Sequence, residues 1–263
     1  MSRVSDVSMV TAQGGYIAKQ CPVVIQNRIL VPTEEAELPD EVIHRMDAGI
    51  EFEAVTLQSL REDVPAGWVV IPHQPRDVAI DATVDAMERR VTVIENAFLP
   101  IDEEGRRTGR PDLLIRSDTG YIPVDIKHHR TLNEEEGSVL VSDSTDPFYE
   151  AAYQMDGWGL RKHQGDALQL AHYHRMLEAA GHDSGRAVGG ILGKEGLIVW
   201  YDLDLPMWTT PAKSDGRKTK IRTTLERYDF EFGFRPRQDP SAELQPFERV
   251  LFVQIGVDRL RHG

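Results

Sequence analysis

Two carboxylates and one ammonium flank a single short turn. Pro111-Asp112 opens the run Asp112 to Ile115, Asp125-Ile126-Lys127 closes the run Tyr121 to Lys127, and Ser117-Asp118-Thr119-Gly120 lies between the two runs. A polar turn ending in glycine between two aliphatic runs predicts a β-hairpin. With a symmetric four-residue loop, Arg116 pairs with Tyr121, and paired residue numbers sum to 237. Asp112 and Asp125 share that sum, so the hairpin sets them opposite each other, with Cβ atoms about 4.5–5.5 Å apart. Two like charges that close destabilise a sheet unless something neutralises them. A divalent cation does so, and ligation by carboxylates alone favours a hard ion, Mg²⁺ or Mn²⁺. Lys127 follows Asp125 by two residues and emerges on the same strand face. An ammonium beside a metal-bound carboxylate can orient or deprotonate an attacking water and stabilise charge developing on a phosphoryl group. The plainer alternative makes Asp112 a hairpin cap and Asp125 with Lys127 a surface ion pair. A one-residue slip in register would send Asp112 to the other face.

The elements that must position these residues follow from periodicity. Apolar steps of three and four over Glu41 to Leu60 predict a helix interrupted near Gly49. Trp68 to Pro72 predicts a strand, Asp81 an N-cap for a helix through Arg89, and Val91 to Leu99 a further strand. Gln164 to Ala180 is a strongly patterned helix closed by Gly181. Ala187 to Leu192 and Gly196 to Asp202 form a second hairpin around Gly193-Lys194-Glu195. Cys21 to Ile29 predicts a short buried element, Pro32 to Pro39 an acidic linker, and Asn133 to Tyr149 a mobile acidic loop. Ser214 to Arg222 is a basic loop, followed by a helix from Thr223 and a strand over Val250 to Ile255. No repeat and no sharp break in composition divides the chain. The expected architecture is a single α/β domain over residues 1–263, a mixed central sheet with the hairpin at its centre and helices flanking it.

Composition narrows the setting. Of 263 residues, 40% are hydrophobic and 28% charged, enough apolar material for a sizeable core. No apolar run is long enough to span a bilayer, and the N-terminus lacks the apolar core of a secretory signal. The expectation is a cytoplasmic protein with no membrane partner. The single cysteine, Cys21, excludes an internal disulfide framework and a four-cysteine zinc site. A zinc site from His128, His129, His172 and His174 has no cysteine or spacing to support it. Thirty Lys and Arg against 43 Asp and Glu give a net charge of −13, which at first sight opposes a nucleic-acid partner.

Pro111-Asp112 followed by Asp125-Ile126-Lys127 resembles the PD-(D/E)xK nuclease superfamily. Cys21-Pro22, Gly49-Ile50-Glu51-Phe52-Glu53, Gly109-Arg110-Pro111-Asp112, Val124-Asp125-Ile126-Lys127 and Gln169-Leu170-Ala171-His172-Tyr173 occur in the order seen in its RecB-like branch, from about Cys21 to Arg235. That branch includes nuclease domains of recombination helicases and CRISPR adaptation nucleases. The resemblance implies a restriction-endonuclease-like core over about residues 21–235, leaving residues 236–263 without an assigned role. It implies metal ligation by Glu53, four residues after Gly49, by Asp112 and Asp125, and by the main-chain carbonyl of Ile126. Lys127 takes the place of the catalytic lysine. Gln169 and Tyr173 match a Q-x-x-x-Y element whose i,i+4 spacing puts both on one helix face. The glutamine amide can bridge a phosphate or hold the lysine, and the tyrosine can stack on a base or pack as core. His128, His129 and Arg130, directly after the lysine, become candidates for the DNA backbone, and Lys213, Arg217, Lys218, Lys220 and Arg222 for a strand-binding flap. Several relatives carry an iron–sulfur cluster on one early and three late cysteines. No cysteine follows Cys21, so no iron–sulfur cluster is expected from this chain alone.

The function that follows is a Mg²⁺- or Mn²⁺-dependent deoxyribonuclease, an exonuclease on single-stranded DNA or DNA ends in repair, recombination or phage DNA processing. A helicase or recombination protein is the implied partner. The competing reading is a nuclease-like module that grips DNA or a helicase without cutting. The acidic balance is compatible with the first reading, because much of the excess lies in Glu34 to Glu41 and Glu134 to Glu150 and because bound metal reverses the sign at the site itself.

Overall fold

The computed structural model describes Gly14 and residues 39–64, 66–212 and 218–233. The segment from Cys21 to Ile29, the linker before Pro39, Lys213 to Arg217, Val250 to Ile255 and the C-terminal residues 236–263 lie outside the described residues.

A mixed eight-stranded sheet forms the middle layer. Its strands are β1 (Trp68–Val70), β2 (Val93–Glu95), β3 (Leu113–Arg116), β4 (Tyr121–Ile126), β5 (Leu132–Asp143), β6 (Tyr153–Leu160), β7 (Val188–Leu192) and β8 (Leu197–Asp202). They lie in the order β1-β2-β3-β4-β7-β8-β5-β6. The β1–β2 and β4–β7 pairs are parallel and the others antiparallel. A separate two-stranded ribbon joins β9 (Trp208–Pro211) to β10 (Thr219–Arg222). The helices are α1 (Asp40–Asp63), α2 (Arg76–Glu88), α3 (Gln164–Ala180) and α4 (Thr224–Gly233). Among the described residues no helix is long and apolar enough to cross a membrane.

Alternation along the central strands sorts the core onto two faces. Val93, Leu113, Ile115, Ile122, Val124 and Ile126 meet Leu57 and Leu60 of α1. On the opposite face Ile94, Leu114 and Tyr121 meet Tyr173, Met176 and Leu177 of α3 and Ala79 and Met87 of α2. Glycine lets α3 lie close to the sheet. A Cβ on Gly189 would come within 2.9 Å of Leu170 of α3, and one on Gly190, facing the other way, within 2.9 Å of Val124, Ile198 and Trp200. Pro123 has no N–H for a ladder. It sits in β4 opposite Leu114, just before the pairing with β7 begins at Val124.

Several elements differ from their sequence expectation. Helix α1 runs through Gly49 without interruption, since an isolated glycine weakens a helix without ending it. Helix α2 starts at Arg76 rather than after Asp81, with Pro75 at its N-cap, where the missing N–H costs nothing. The strand expected over Val91 to Leu99 shortens to Val93–Glu95, and Asn96 turns the chain with φ 56°. The expected loop Asn133 to Tyr149 is mostly the twelve-residue strand β5, paired with β6, which had no sequence signal, and with β8. The basic loop is in part strand β10, and Arg222 is buried, donating to Pro211 O at 2.7 Å and to Thr210 Oγ1. Arg222 is therefore not available to an exposed flap, whereas Lys218 and Lys220 are exposed.

Candidate active site

The β3–β4 hairpin has the expected register. Leu113–Val124, Leu114–Pro123, Ile115–Ile122 and Arg116–Tyr121 all pair with a sum of 237. Ser117 N–H donates to Gly120 O at 2.8 Å and closes the turn. Gly120 is required there, because a Cβ would stand 2.0 Å from the carbonyl oxygen of Asp183. The ladder stops at Leu113, and Asp112 continues one residue beyond it, beside Asp125. Ile126 N–H donates to Asp112 Oδ2 at 2.6 Å, and Asp112 N–H approaches Asp125 Oδ1 at 3.5 Å.

Asp125 is 1% exposed, and its Oδ2 lies 2.9 Å from Lys127 Nζ without accepting a well-directed hydrogen bond. Burial raises the Asp112 carboxyl well above the usual carboxylate range, and the charges on Asp125 and Glu53 push the same way, while Lys127 and the Ile126 N–H oppose them. Glu53 approaches from α1, in the opposite layer. Burial raises its pKa as well, against the pull of Arg110 and Lys127. Glu51, its near neighbour in sequence, is exposed.

Lys127 is held from the α3 side. Its Nζ donates to Gln169 Oε1 at 3.4 Å, Gln169 Nε2 donates to Tyr173 Oη at 2.7 Å, and Tyr173 Oη donates to Arg110 O at 3.1 Å. Gln169 and Tyr173 are each 4% exposed, so this chain of bonds runs through the interior. Of the sequence alternatives for Gln169, holding the lysine is the one this geometry matches. Tyr173 also packs in the core against Met176 and Leu177. His128 and Arg130 are exposed on the loop after β4, and the His128 ring lies 5.0 Å from that of Phe52 on α1, one residue before Glu53.

Two neighbours were missed in the sequence. Arg110 is exposed at the edge of the site, bonded to Asn96 Oδ1 at 2.9 Å and placed 4.9 Å over the Phe98 ring. Glu95 is buried on β2, where it accepts from Trp68 Nε1 at 2.9 Å and pairs with Arg61 of α1 at 3.4 Å. Arg110 could be noticed beside Pro111-Asp112, whereas Glu95 becomes a neighbour only through the β2–β3 pairing.

The histidines His128, His129, His172 and His174 do not assemble. His172 is buried between Thr108 O at 3.0 Å and Tyr228 Oη at 2.9 Å. His174, also buried, lies 3.4 Å from Glu178. Burial holds its pKa below the usual histidine value, against Glu178, Asp183 and Asp204 and together with Arg175. The unfolded chain therefore binds more protons than the folded one as pH falls through about 6.5, so this contribution is intact above that pH and lost below it. Replacing His174 with Gln should flatten the fall in Tm between about pH 7 and pH 5. Parallel Tm–pH curves for variant and wild type would rule this out.

Among the described residues, one group of three His, Cys, Asp or Glu has ligand atoms within 4.8 Å of one another, and it is His129, His163 and Asp166. Glu53, Asp112 and Asp125 form an electrostatic cluster with wider spacing. Comparison of the chain with protein-family models and with curated proteins finds no match.

Proposed function

We propose that this chain is a divalent-metal-dependent DNA nuclease with a restriction-endonuclease-like core of the RecB-like kind. The observation that carries the reading is the opposed Asp112–Asp125 pair with Lys127 on the same face, held in place by the buried Gln169. A structural ion pair needs neither a second, half-buried carboxylate beside the first nor a buried glutamine that accepts from the lysine.

The donor set suits a hard cation. Every candidate ligand is an oxygen, the two aspartates repel each other, and Asp125 Oδ2 lies 2.9 Å from the ammonium of Lys127 with no hydrogen-bond donor among the described residues. Glu53, Asp112, Asp125 and the carbonyl of Ile126 would hold Mg²⁺ or Mn²⁺. Such an ion, when bound, supplies Lewis acidity and lowers the pKa of a coordinated water.

The protein's own groups do the remaining work. Lys127, fixed between Asp125 and Gln169, orients the attacking water and offers positive charge to the phosphate as it becomes more negative. Arg110, His128 and Arg130 provide exposed donors around the site for the strand backbone. DNA ends or single strands are the expected substrate.

The direct test is cleavage of labelled single- and double-stranded DNA with Mg²⁺, with Mn²⁺ and with chelator. Metal-dependent cleavage supports the proposal. Salt-sensitive DNA binding with no cleavage under any metal would favour the non-cutting module.

The bond chain behind Lys127 has its own expected signature. Gln169→Leu should lower kcat by roughly 10–100-fold, as losses of orienting partners do. KM for DNA should stay near wild type, because the side chain is buried. Tyr173→Phe, which removes only the far end of the chain, should lose less. A raised KM at unchanged kcat would instead make these residues DNA contacts.

A further inference from the structure

A second cluster lies just past the lysine. His129 is on the loop after β4, His163 precedes the first residue of α3, and Asp166 is in the first turn of that helix. The His129 and His163 rings are 4.0 Å apart between centroids, and His129 Nε2 is 2.9 Å from Asp166 Oδ2. Each of the three offers a ligand atom within 4.8 Å of the other two.

Hydrogen bonding selects which ring nitrogens face inward. His129 Nδ1 and His163 Nε2 both lie 3.1 Å from the carbonyl oxygen of Arg130. A carbonyl only accepts, so each of these nitrogens carries a hydrogen. In the neutral rings the lone pairs are then on His129 Nε2 and His163 Nδ1. Metal-ligating histidines are usually fixed in this way, with the second ring nitrogen donating to a backbone carbonyl or a carboxylate. A neutral His129 would present its lone pair to the Asp166 carboxylate across 2.9 Å, acceptor against acceptor. A cation between them removes that conflict, and so does a proton on the ring. The proton accounts for the His129–Asp166 pair alone, whereas a metal also uses the ligand atom of His163.

We propose that His129, His163 and Asp166 form a second metal site, separate from the carboxylate site and selective for a borderline divalent transition ion such as Zn²⁺. Two imidazoles and one carboxylate suit Zn²⁺, Co²⁺ or Ni²⁺ better than Mg²⁺, whereas the all-oxygen set around Asp112 and Asp125 has the opposite preference. The two sites would therefore fill from different ions in one mixture.

The position gives the site a structural consequence. The loop already bonds to its surroundings through Lys194 N–H to His129 O at 3.0 Å and Arg161 N–H to Thr131 O at 2.8 Å. A metal on His129, His163 and Asp166 would tie this loop to the start of α3. Lys127 precedes the loop and Gln169 follows Asp166 by one helical turn, so the clamp spans the two elements that meet at the lysine.

Binding measurements on the full, untagged chain test the proposal independently of any nuclease activity. After chelator treatment, wild type is titrated with Zn²⁺ by calorimetry, and its bound metal is counted after dialysis against excess Mg²⁺. One Zn²⁺ per chain should remain, both in wild type and in the double variant Asp112→Asn/Asp125→Asn. His163→Ala and Asp166→Asn should bind at least about tenfold more weakly. Co²⁺ loaded into the double variant should give visible d–d absorption that His163→Ala removes. Circular dichroism separates loss of the site from loss of the fold, and the half-exposed His163 is the variant least prone to unfolding. Equal Zn²⁺ binding by wild type, His163→Ala and Asp166→Asn would overturn the proposal, as would loss of Zn²⁺ from the double variant. Either result leaves His129 and Asp166 as an ion pair only.

Discussion

Lys127→Ala and Asp125→Ala should each lower Mg²⁺-dependent DNA cleavage by about 10²–10³-fold or more, the scale seen when a preorganised group facing developing charge is removed. The loss should fall on kcat. Lys127 touches Asp125 and Gln169 rather than open surface, with its side chain 17% exposed, so DNA affinity should change little. Lys127→Arg should not rescue activity. A guanidinium is planar and larger than an ammonium, and at 3.4 Å from Gln169 and 2.9 Å from Asp125 the lysine Nζ already fills its place. Asp125→Ala removes a candidate ligand and the partner of the lysine together, so its defect should equal or exceed that of Lys127→Ala. Asp125→Asn is the companion variant, since it keeps the shape of a buried side chain and separates lost charge from lost packing. The measurement is single-turnover cleavage of end-labelled and internally labelled DNA in Mg²⁺ and in Mn²⁺. Equal rates for wild type, Lys127→Ala and Asp125→Ala would remove the hairpin from the chemistry.

The part of the site on which those predictions rest was legible because it is local. A four-residue turn ties the two strands by covalent connection, so turn chemistry and alternation are enough to set Asp112 against Asp125. Helix α3 was equally legible, with its 3.6-residue pattern and with Gly181 at φ 70° as its stop. The same pattern put Gln169 and Tyr173 on one face but left open whether that face met DNA or protein. Contact with the sheet, which Gly189 lets α3 approach closely, is what buries both side chains. Strand β5 was hidden for the opposite reason. Its residues Glu134, Glu135 and Glu136 are exposed on a ribbon with β6 beyond the main core, so no alternation of apolar side chains marks it. Residues brought in by distant pairing were out of reach too. Glu95 joins through β2, and His163 with Asp166 reach His129 across more than thirty residues of chain.

Asp112→Asn should separate stability from activity in opposite directions. In the metal-free protein the Asp112 carboxyl is buried beside Asp125 and near Glu53, and its folded-state pKa lies well above the ordinary aspartate value of about 3.9. An acid shifted this way binds more protons folded than unfolded between its two pKa values. Its contribution to stability therefore falls as pH rises through that window, so an ionisable acid at this position opposes folding at pH values above it. Asparagine removes the charge while its amide oxygen can still accept from Ile126 N–H. In chelator at neutral pH the variant should melt about 2–4 °C above wild type, equivalent to roughly 1 kcal/mol for a chain of this length. The difference should shrink as pH is lowered through the window between the raised folded-state value and the ordinary value of about 3.9, because the wild-type carboxyl takes up its own proton there. Added Mg²⁺ should raise the Tm of wild type and leave that of Asp112→Asn nearly unchanged, because a cation that binds only the folded state stabilises it by mass action. Cleavage should be lost with the metal response. Sites arranged for function commonly gain stability when their strained charges are removed, so a rise in Tm together with lost cleavage is the result that marks this pair as functional. An Asp112→Asn protein that melts below wild type in chelator and still responds to Mg²⁺ would show that Asp112 serves only to end the hairpin.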